Sequence, residues 1–320
     1  MGKQPKSKKT ATAASTTRRV EGRKEEDENN DEETTNTIDT VLEFPKSDYC
    51  IKAMSFFDKG NRYKFKKLLL QGSAKGCINC LTGYATNLLY SPDDQLAIND
   101  DYGPDFELKS LNRKDLHLAF SFCLEGAIRG NGDSIGLILA IHVIIYPLEG
   151  ESSYEMHAIY QYWQKFYDKQ GFGSDLDNKM TRKSIKTDIG NICHGCDKEE
   201  SDTVTLKKCG GCNFYYYCSA DCQKKMWLNG GHAGECRQLA ILKQYHRPHG
   251  KHIRDRLVNG VDPKDIPELQ ELRRQLGLDR PKAEYEDLLQ QVKSGRIEPC
   301  DLIVPNKDGT VQIGSFPRPM

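Results

Sequence analysis

The sequence predicts a mainly α protein: a helical-repeat-like αα-hairpin domain, a small cysteine-rich unit, and a helical C-terminal extension. Three observations carry this. From about residue 47 to 172, apolar residues recur at three- and four-residue steps, which places them on one face of a helix. Seven of the twelve cysteines then fall within residues 193–236. Beyond them the chain returns to charged, helix-forming segments punctuated by proline.

Residues 1–46 are expected to be a disordered charged tail. KQPKSKK and RRVEGRK make a basic half and EEDENNDEE an acidic one. With almost no large apolar side chain, this segment cannot bury enough surface to offset its conformational entropy. The basic clusters fit a nuclear-import signal or, more simply, a solvated tail.

Residues 47–172 form the repeat-like domain. SDYCIKAMSFFDKG, YKFKKLLLQGSAKG, CINCLTGYATNLLY, LHLAFSFCLEGAIRG and SIGLILAIHVIIY read as helices, several closed by glycine. Two blocks resemble each other: KFKKLLLQGSAKGCINCLTGYA and LHLAFSFCLEGAIRGNGDSIGLILA. In each, an amphipathic helix ends in G-x-x-x-G (Gly72 to Gly76, Gly126 to Gly130), and a helix rich in small residues follows. HAIYQYWQKFYDKQG is a fainter third copy. Paired helices of this kind bury their faces only by stacking on neighbours. The blocks are similar to Sel-type relatives of tetratricopeptide repeats, with an ordinary helical bundle as the alternative. The insertion SPDDQLAINDDYGPDFELKS at 91–110 interrupts the period.

The longest apolar run, IGLILAIHVIIYPL at 135–148, is broken by His142 and is shorter than the about 20 residues a bilayer requires. It predicts a buried core helix. Residues 173–190 are polar and read as a linker, 191–237 as the cysteine-rich unit, and 238–320 as the extension. In the extension, Pro248, Pro263, Pro267 and Pro281 stand at helix starts or breaks. CDLIVPNKDGTVQIGSF predicts a terminal hairpin turning at Asn306–Gly309.

The 320 residues are polar overall, 29% charged and 37% hydrophobic, with a mean hydropathy of −0.68. The formal net charge is zero, so no global field draws the chain to nucleic acid or an anionic membrane. The basic N-terminus lacks the apolar core of a secretory signal. The cysteines stand at metal-ligand spacings rather than as a disulfide scaffold. The expected setting is therefore intracellular and reducing, cytoplasmic or nuclear, with no membrane.

Eight candidate metal ligands fall in order as Cys193-x2-Cys196, Cys209-x2-Cys212, Cys218-x3-Cys222 and His232-x3-Cys236. Cysteines separated by two residues sit on one tight turn and present both sulfurs to one metal. Ligands four positions apart share one face of a helical turn. Seven thiols and one imidazole divide into two four-coordinate sets, the closed tetrahedral arrangement of structural zinc. Sulfur donors select zinc over magnesium or calcium. An iron–sulfur cluster competes, but four regular pairs with a late histidine fit two mononuclear sites better. Spacing leaves open which pairs share a metal. With four protein ligands each, neither metal keeps a position for a catalytic water. The expected cofactor is thus two structural Zn2+ ions that hold shape. His194, inside the first pair, is expected to face solvent.

FYYYCSADCQKKMW resembles the core of the MYND-type zinc finger. That pattern sets an aromatic before C-x3-C, then Gln, Trp and H-x3-C, and here Tyr217, Gln223, Trp227 and the eight ligands fill it. The resemblance implies interleaving: Cys193, Cys196, Cys218 and Cys222 on one zinc, and Cys209, Cys212, His232 and Cys236 on the other. It also implies a peptide-docking module, often for proline-rich segments, with Tyr217, Gln223 and Trp227 as peptide-binding residues. Packing around the zincs is the plainer role for the two aromatics. The twelve residues between Cys196 and Cys209, and LNGG between Trp227 and His232, are long for the pattern. Gly210 stands where some relatives carry a hydroxyl.

Repeats and finger both point to protein partners, proline-rich peptide segments among them. The expected function is a zinc-binding interaction adaptor, with no catalytic residues and no enzymatic activity. Two alternatives are weighed. A MYND-associated lysine methyltransferase-like enzyme lacks support from SET-type motifs or a glycine-rich cofactor segment. A nucleic-acid-associated transcriptional regulator needs positive charge, whereas residues 190–237 hold six basic and six acidic side chains. Cys77-x2-Cys80 reads as buried packing rather than a redox or metal site. His246, His249 and His252 read as solvated or capping.

Overall fold

Glycine in the left-handed region organises the first half of the chain. In this computed structural model, which describes residues 43–90, 112–145, 157–169 and 189–313, three turns share one design. Helix α1 (Asp48–Asp58) gives way to α2 (Arg62–Ala74) through Lys59-Gly60-Asn61, and α2 to α3 (Ile78–Leu89) through Lys75-Gly76-Cys77. Helix α4 (Leu116–Ile128) gives way to α5 (Gly132–Ile145) through Arg129-Gly130-Asn131. The three glycines have φ of 69°, 87° and 80°, a conformation L side chains rarely adopt and one that closes helices. The first of these turns lies upstream of the two blocks that the sequence singles out.

The G-x-x-x-G glycines have separate duties. Gly76 and Gly130 make the turns. Gly72 and Gly126 let the next helix pass close, because an added Cβ would overlap Cys80 Sγ and Ser134 Oγ respectively. Each helix packs on the next from α1 through α5, and α6 (Ala158–Lys169) packs on α5. Nearly all of α4 is buried, which makes it the axis of the array. Ile135, Ile138 and Ile141 of α5 are fully buried, so the longest apolar run is a core helix. Among the described residues no helix is long and apolar enough to cross a membrane. The 91–110 insertion, the N-terminal 42 residues and most of the 173–190 linker lie outside the described residues.

Next come a two-stranded antiparallel ladder, β1 (Lys207–Lys208) with β2 (Tyr216–Tyr217), and helices α7 (Ala220–Asn229) and α8 (His232–Ile241). The extension holds a π turn at Leu242–His246, α9 (Gly250–Val258), α10 (Pro267–Leu276) and α11 (Lys282–Lys293). Pro267 stands in the first turn of α10 and Pro281 caps α11, where a missing N–H costs nothing. The fold is mainly α, as the sequence predicts. The terminal hairpin is not formed as a ladder. Asn306 N–H bonds the Thr310 carbonyl at 2.8 Å to make the turn, but β1–β2 is the only sheet among the described residues. The Val311 N–H instead bonds Leu276 O at 2.9 Å, so this segment docks on α10.

All described residues belong to the compact unit Leu42–Met320. One continuous apolar core runs from Phe44 through the array, the cysteine-rich unit and the extension to Val311. A buried ion network ties the array to the extension. Glu125 of α4 pairs with Arg129 and with Arg273 of α10, and Arg273 also meets Asp279 at 2.5 Å. Arg129 Nη1 donates to Gly76 O at 3.0 Å, linking the two hairpins.

His246 is not the solvated group the sequence suggests. It is 1% exposed, lies 5.3 Å from the Trp163 ring and 4.8 Å from Phe166, and its Nδ1 meets the Tyr162 hydroxyl at 2.8 Å. Burial pushes its pKa down from 6.5 to about 3. The unfolded chain therefore takes the proton first. This histidine's contribution is complete above about pH 6.5 and is lost as pH falls toward 3. Zinc-supplemented urea unfolding at pH 7 and 5.5 is expected to show a loss approaching about 1.4 kcal/mol per pH unit from this residue. His246→Gln should lose visibly less between the two values; equal losses would refute the assignment.

Candidate functional site

Two short turns of the same design set the first ligands. In C-x-G-C followed by Asp or Asn, residues 193–197 and 209–213, the chain leaves each turn through a left-handed residue: Asp197 at φ 58° and Asn213 at φ 55°. Asp and Asn tolerate this region better than other side chains. The amides of Asp197 and Asn213 bond the carbonyls of Cys193 and Cys209 at 2.8 and 2.9 Å, closing the turns. The glycine in each turn marks the crossing of a ligand from elsewhere. A Cβ on Gly195 would lie 2.6 Å from Cys222 Cβ, and one on Gly211 would lie 2.7 Å from Cys236 Sγ.

Cys218 lies just outside α7, behind its N-cap Ser219, whose hydroxyl accepts the Cys222 amide at 3.1 Å. It is therefore not on a helical turn with Cys222, a departure from the expectation for a C-x3-C pair. His232 and Cys236 do share the first turns of α8, which begins after Gly231 at φ 74°. Asn229 ends α7, so the linking loop shrinks to Gly230 and Gly231.

The ligand atoms of Cys193, Cys196, Cys218 and Cys222 lie within 4.8 Å of one another, as do those of Cys209, Cys212, His232 and Cys236. Pairs one and three meet, and pairs two and four meet. Cys218 Sγ is 3.6 Å from both Cys196 Sγ and Cys222 Sγ, and Cys212 Sγ is 3.5 Å from His232 Nε2. A tetrahedral site with Zn–S of about 2.3 Å sets sulfurs about 3.8 Å apart, so both donor sets fit zinc. Hydrogen bonding from Cys236, then His232, pulls the Cys212 thiol below its ordinary range, toward the thiolate a metal ligand needs. These are two structural zinc sites, one built from four thiolates and the other from three thiolates and an imidazole.

Supporting groups fix the ligands. Tyr217 is 3% exposed, stacks on the His232 ring at 5.6 Å and bonds its Nδ1 through the phenol, leaving Nε2 for the metal. These contacts give Tyr217 a role in orienting His232. His194 is also displaced from expectation. Its ring packs 4.7 Å from Tyr215 rather than facing solvent, and its amide bonds Tyr216 O at 3.0 Å. Gln223 and Trp227 lie four apart on α7 and are half-buried. Gln223 Nε2 approaches Cys209 Sγ at 3.8 Å, and Trp227 sets its edge to His232 at 5.5 Å with the Arg237 guanidinium 5.6 Å over its ring. Leu228, beside them, is 55% exposed.

Sequence reasoning missed how this unit joins the array. Glu235, between two ligands, accepts the Ile159 amide at 3.1 Å and the Tyr215 hydroxyl, while Tyr215 receives the Ala158 amide at 3.3 Å. The first free N–H groups of α6 are thus capped from the zinc unit, where a carboxylate is most favourable. A lone glutamate between His232 and Cys236 is the only trace of this in the sequence.

Comparison with known proteins agrees with the geometry. The MYND finger family matches residues 193–236. A SET and MYND domain-containing protein of Dictyostelium discoideum is 41% identical over 54 residues, 16% of this chain and 10% of that protein. The histone-lysine N-methyltransferase ASHR1 of Arabidopsis thaliana is 40% identical over 55 residues, 17% of this chain and 10% of that protein. The chain thus covers about a tenth of these relatives' length. No solved structure matches it. These relatives overturn the expectation of a protein without enzymatic activity, since proteins carrying the same finger are a SET and MYND domain protein and a methyltransferase by name.

Proposed function

We propose, from the premise that residues 193–236 are a MYND finger and hence a zinc-built protein-interaction module, that this finger docks extended, proline-containing segments of protein partners. The observation that carries the reading is the disposition of Gln223 and Trp227. They share one face of α7, are half-buried, and are not among the zinc ligands. An indole face and a side-chain amide are the groups that an extended peptide uses, the first for apolar contact and the second for its backbone. The exposed Leu228 adds apolar surface to the same helix. The helical array supplies a rigid mount through the Glu235 cap on α6. The finger and its mount together make an adaptor.

The test is a displayed peptide library screened against the zinc-loaded chain. Selected sequences should be enriched in proline. A Gln223→Ala, Trp227→Ala double variant that retains two zincs should bind them about 30-fold more weakly, as expected for losing a central aromatic anchor. Unchanged affinity would remove α7 as the docking face.

A further inference from the structure

Away from the finger, the turn between α2 and α3 gathers thiols around one hydroxyl. Cys50 of α1 and Cys77 and Cys80 at the start of α3 are 6%, 8% and 0% exposed and share a small core with Phe65 and Leu69. Ser47 Oγ lies 3.8 Å from Cys80 Sγ. The turn shares both of its glycines with the α4–α5 turn and differs from it at these thiols. Gly72, Gly76, Cys77 and Cys80 correspond one for one to Gly126, Gly130, Asn131 and Ser134. There, Asn131 Oδ1 caps α5 by accepting the Ser134 amide at 2.8 Å. In the first turn Asn61 caps α2 by accepting the Lys64 amide at 3.1 Å. Asn is among the best N-caps. Cys77 occupies that position in the middle turn and makes no side-chain cap bond. The middle turn has given up a cap and holds a C-x-x-C pair at a helix N-terminus instead.

We propose that Cys77 and Cys80 form a reversible dithiol–disulfide site that exchanges with disulfides of small thiols, Cys77 attacking and Cys80 resolving. The Cys77 thiolate attacks one sulfur of R–S–S–R, that bond breaks, and RS⁻ leaves with the electron pair. Cys80 gives its proton to RS⁻ and attacks the Cys77 sulfur of the mixed disulfide, and the second RS⁻ leaves and is protonated from solvent. The proton that Cys77 lost on ionising balances it. One disulfide is reduced to two thiols, and the pair is oxidised by two electrons to Cys77–Cys80. Exposure follows the same order as these roles, 8% for Cys77 and 0% for Cys80. Hydrogen bonding from the Cys80 thiol, then from Ser47, brings the Cys77 thiol down to about 5. The same donation, with burial, pushes Cys80 upward. Attack by a thiolate at a helix N-terminus onto a disulfide, resolved by a protonated neighbour, follows from this split.

The zinc-loaded full chain is incubated with oxidised glutathione at pH 7, alkylated, digested with trypsin and analysed by mass spectrometry. Residues 76–109 form one tryptic peptide with Cys77 and Cys80 as its only cysteines, while Cys50 falls in SDYCIK. Expected is a 76–109 peptide two hydrogens lighter and unalkylated, restored to double alkylation by dithiothreitol. Cys80→Ser, which installs the residue the sister hairpin carries, should trap glutathione on Cys77. Cys77→Asn, likewise the sister residue, should leave Cys80 unmodified. Retention of two zincs and of wild-type helicity by circular dichroism in both variants shows that they fold. A doubly alkylated wild-type peptide after treatment, an adduct on Cys80 in Cys77→Asn, or a disulfide to Cys50 would each overturn the proposal.

Discussion

Cys222→Ala is expected to lower the zinc content from two ions per chain to one and to open residues 193–236 to protease. Three thiols are left on the all-thiolate site, and structural zinc binding in small fingers is worth on the order of 10 kcal/mol of folding free energy. The damage should spread. Tyr215 and Glu235 of the finger cap α6, so loosening the finger exposes free amides at a buried helix start. A lower melting temperature for the helical array is therefore expected along with the zinc loss. Cys300→Ala is the control, since Cys300 belongs to neither ligand group, and it should keep two zincs. Retention of both zincs and of protease resistance by Cys222→Ala would show the ligand grouping to be wrong.

Glu125→Ala carries the second large effect. Glu125 is fully buried and pairs with Arg129 and Arg273. Its removal takes away the carboxylate that these two guanidinium groups share in the core, while Asp279 still meets Arg273 and Asp262 still attracts Arg129. Breaking a buried ion pair by removing one partner costs about 3–5 kcal/mol. For a unit of this size that corresponds to a drop in melting temperature of about 10 °C. Replacing all three charged partners by apolar residues of similar volume should recover most of the loss, because the cost lies in burying charge without its shared carboxylate. A Glu125→Ala protein as stable as wild type would show that water reaches this network.

The finger was the most legible part of the chain, and the reason is physical. Metal ligation demands particular atoms at particular spacings, so Cys193 to Cys236 announce themselves without tertiary context. The interleaving of the pairs was not contained in the spacing and rested on family resemblance, yet the second signal was present. Gly195 and Gly211 are the positions where Cys222 and Cys236 cross, and Asp197 and Asn213 are the left-handed exits. The helical array was legible through its periodicity and through Gly76 and Gly130. The missing pieces all depend on long-range contacts. His246 looked polar because its neighbours in sequence are polar, while its burial comes from Tyr162, Trp163 and Phe166. The role of Tyr217 in orienting His232 was not legible, because the pattern alone cannot show that the imidazole stacks on its ring and bonds its hydroxyl. The terminal segment carries a true turn at Asn306–Gly309, but α10 offers its backbone a partner before a second strand can.

Hydrogen exchange on the zinc-loaded chain, with and without a saturating library-selected peptide, tests the proposed function most directly. Added protection is expected to be confined to β2 and α7, residues 216–229, with the helical array unchanged, and to be absent in the Gln223→Ala, Trp227→Ala variant. Protection centred on α1 to α5, or equal protection in the variant, would contradict this and move the docking surface off the finger.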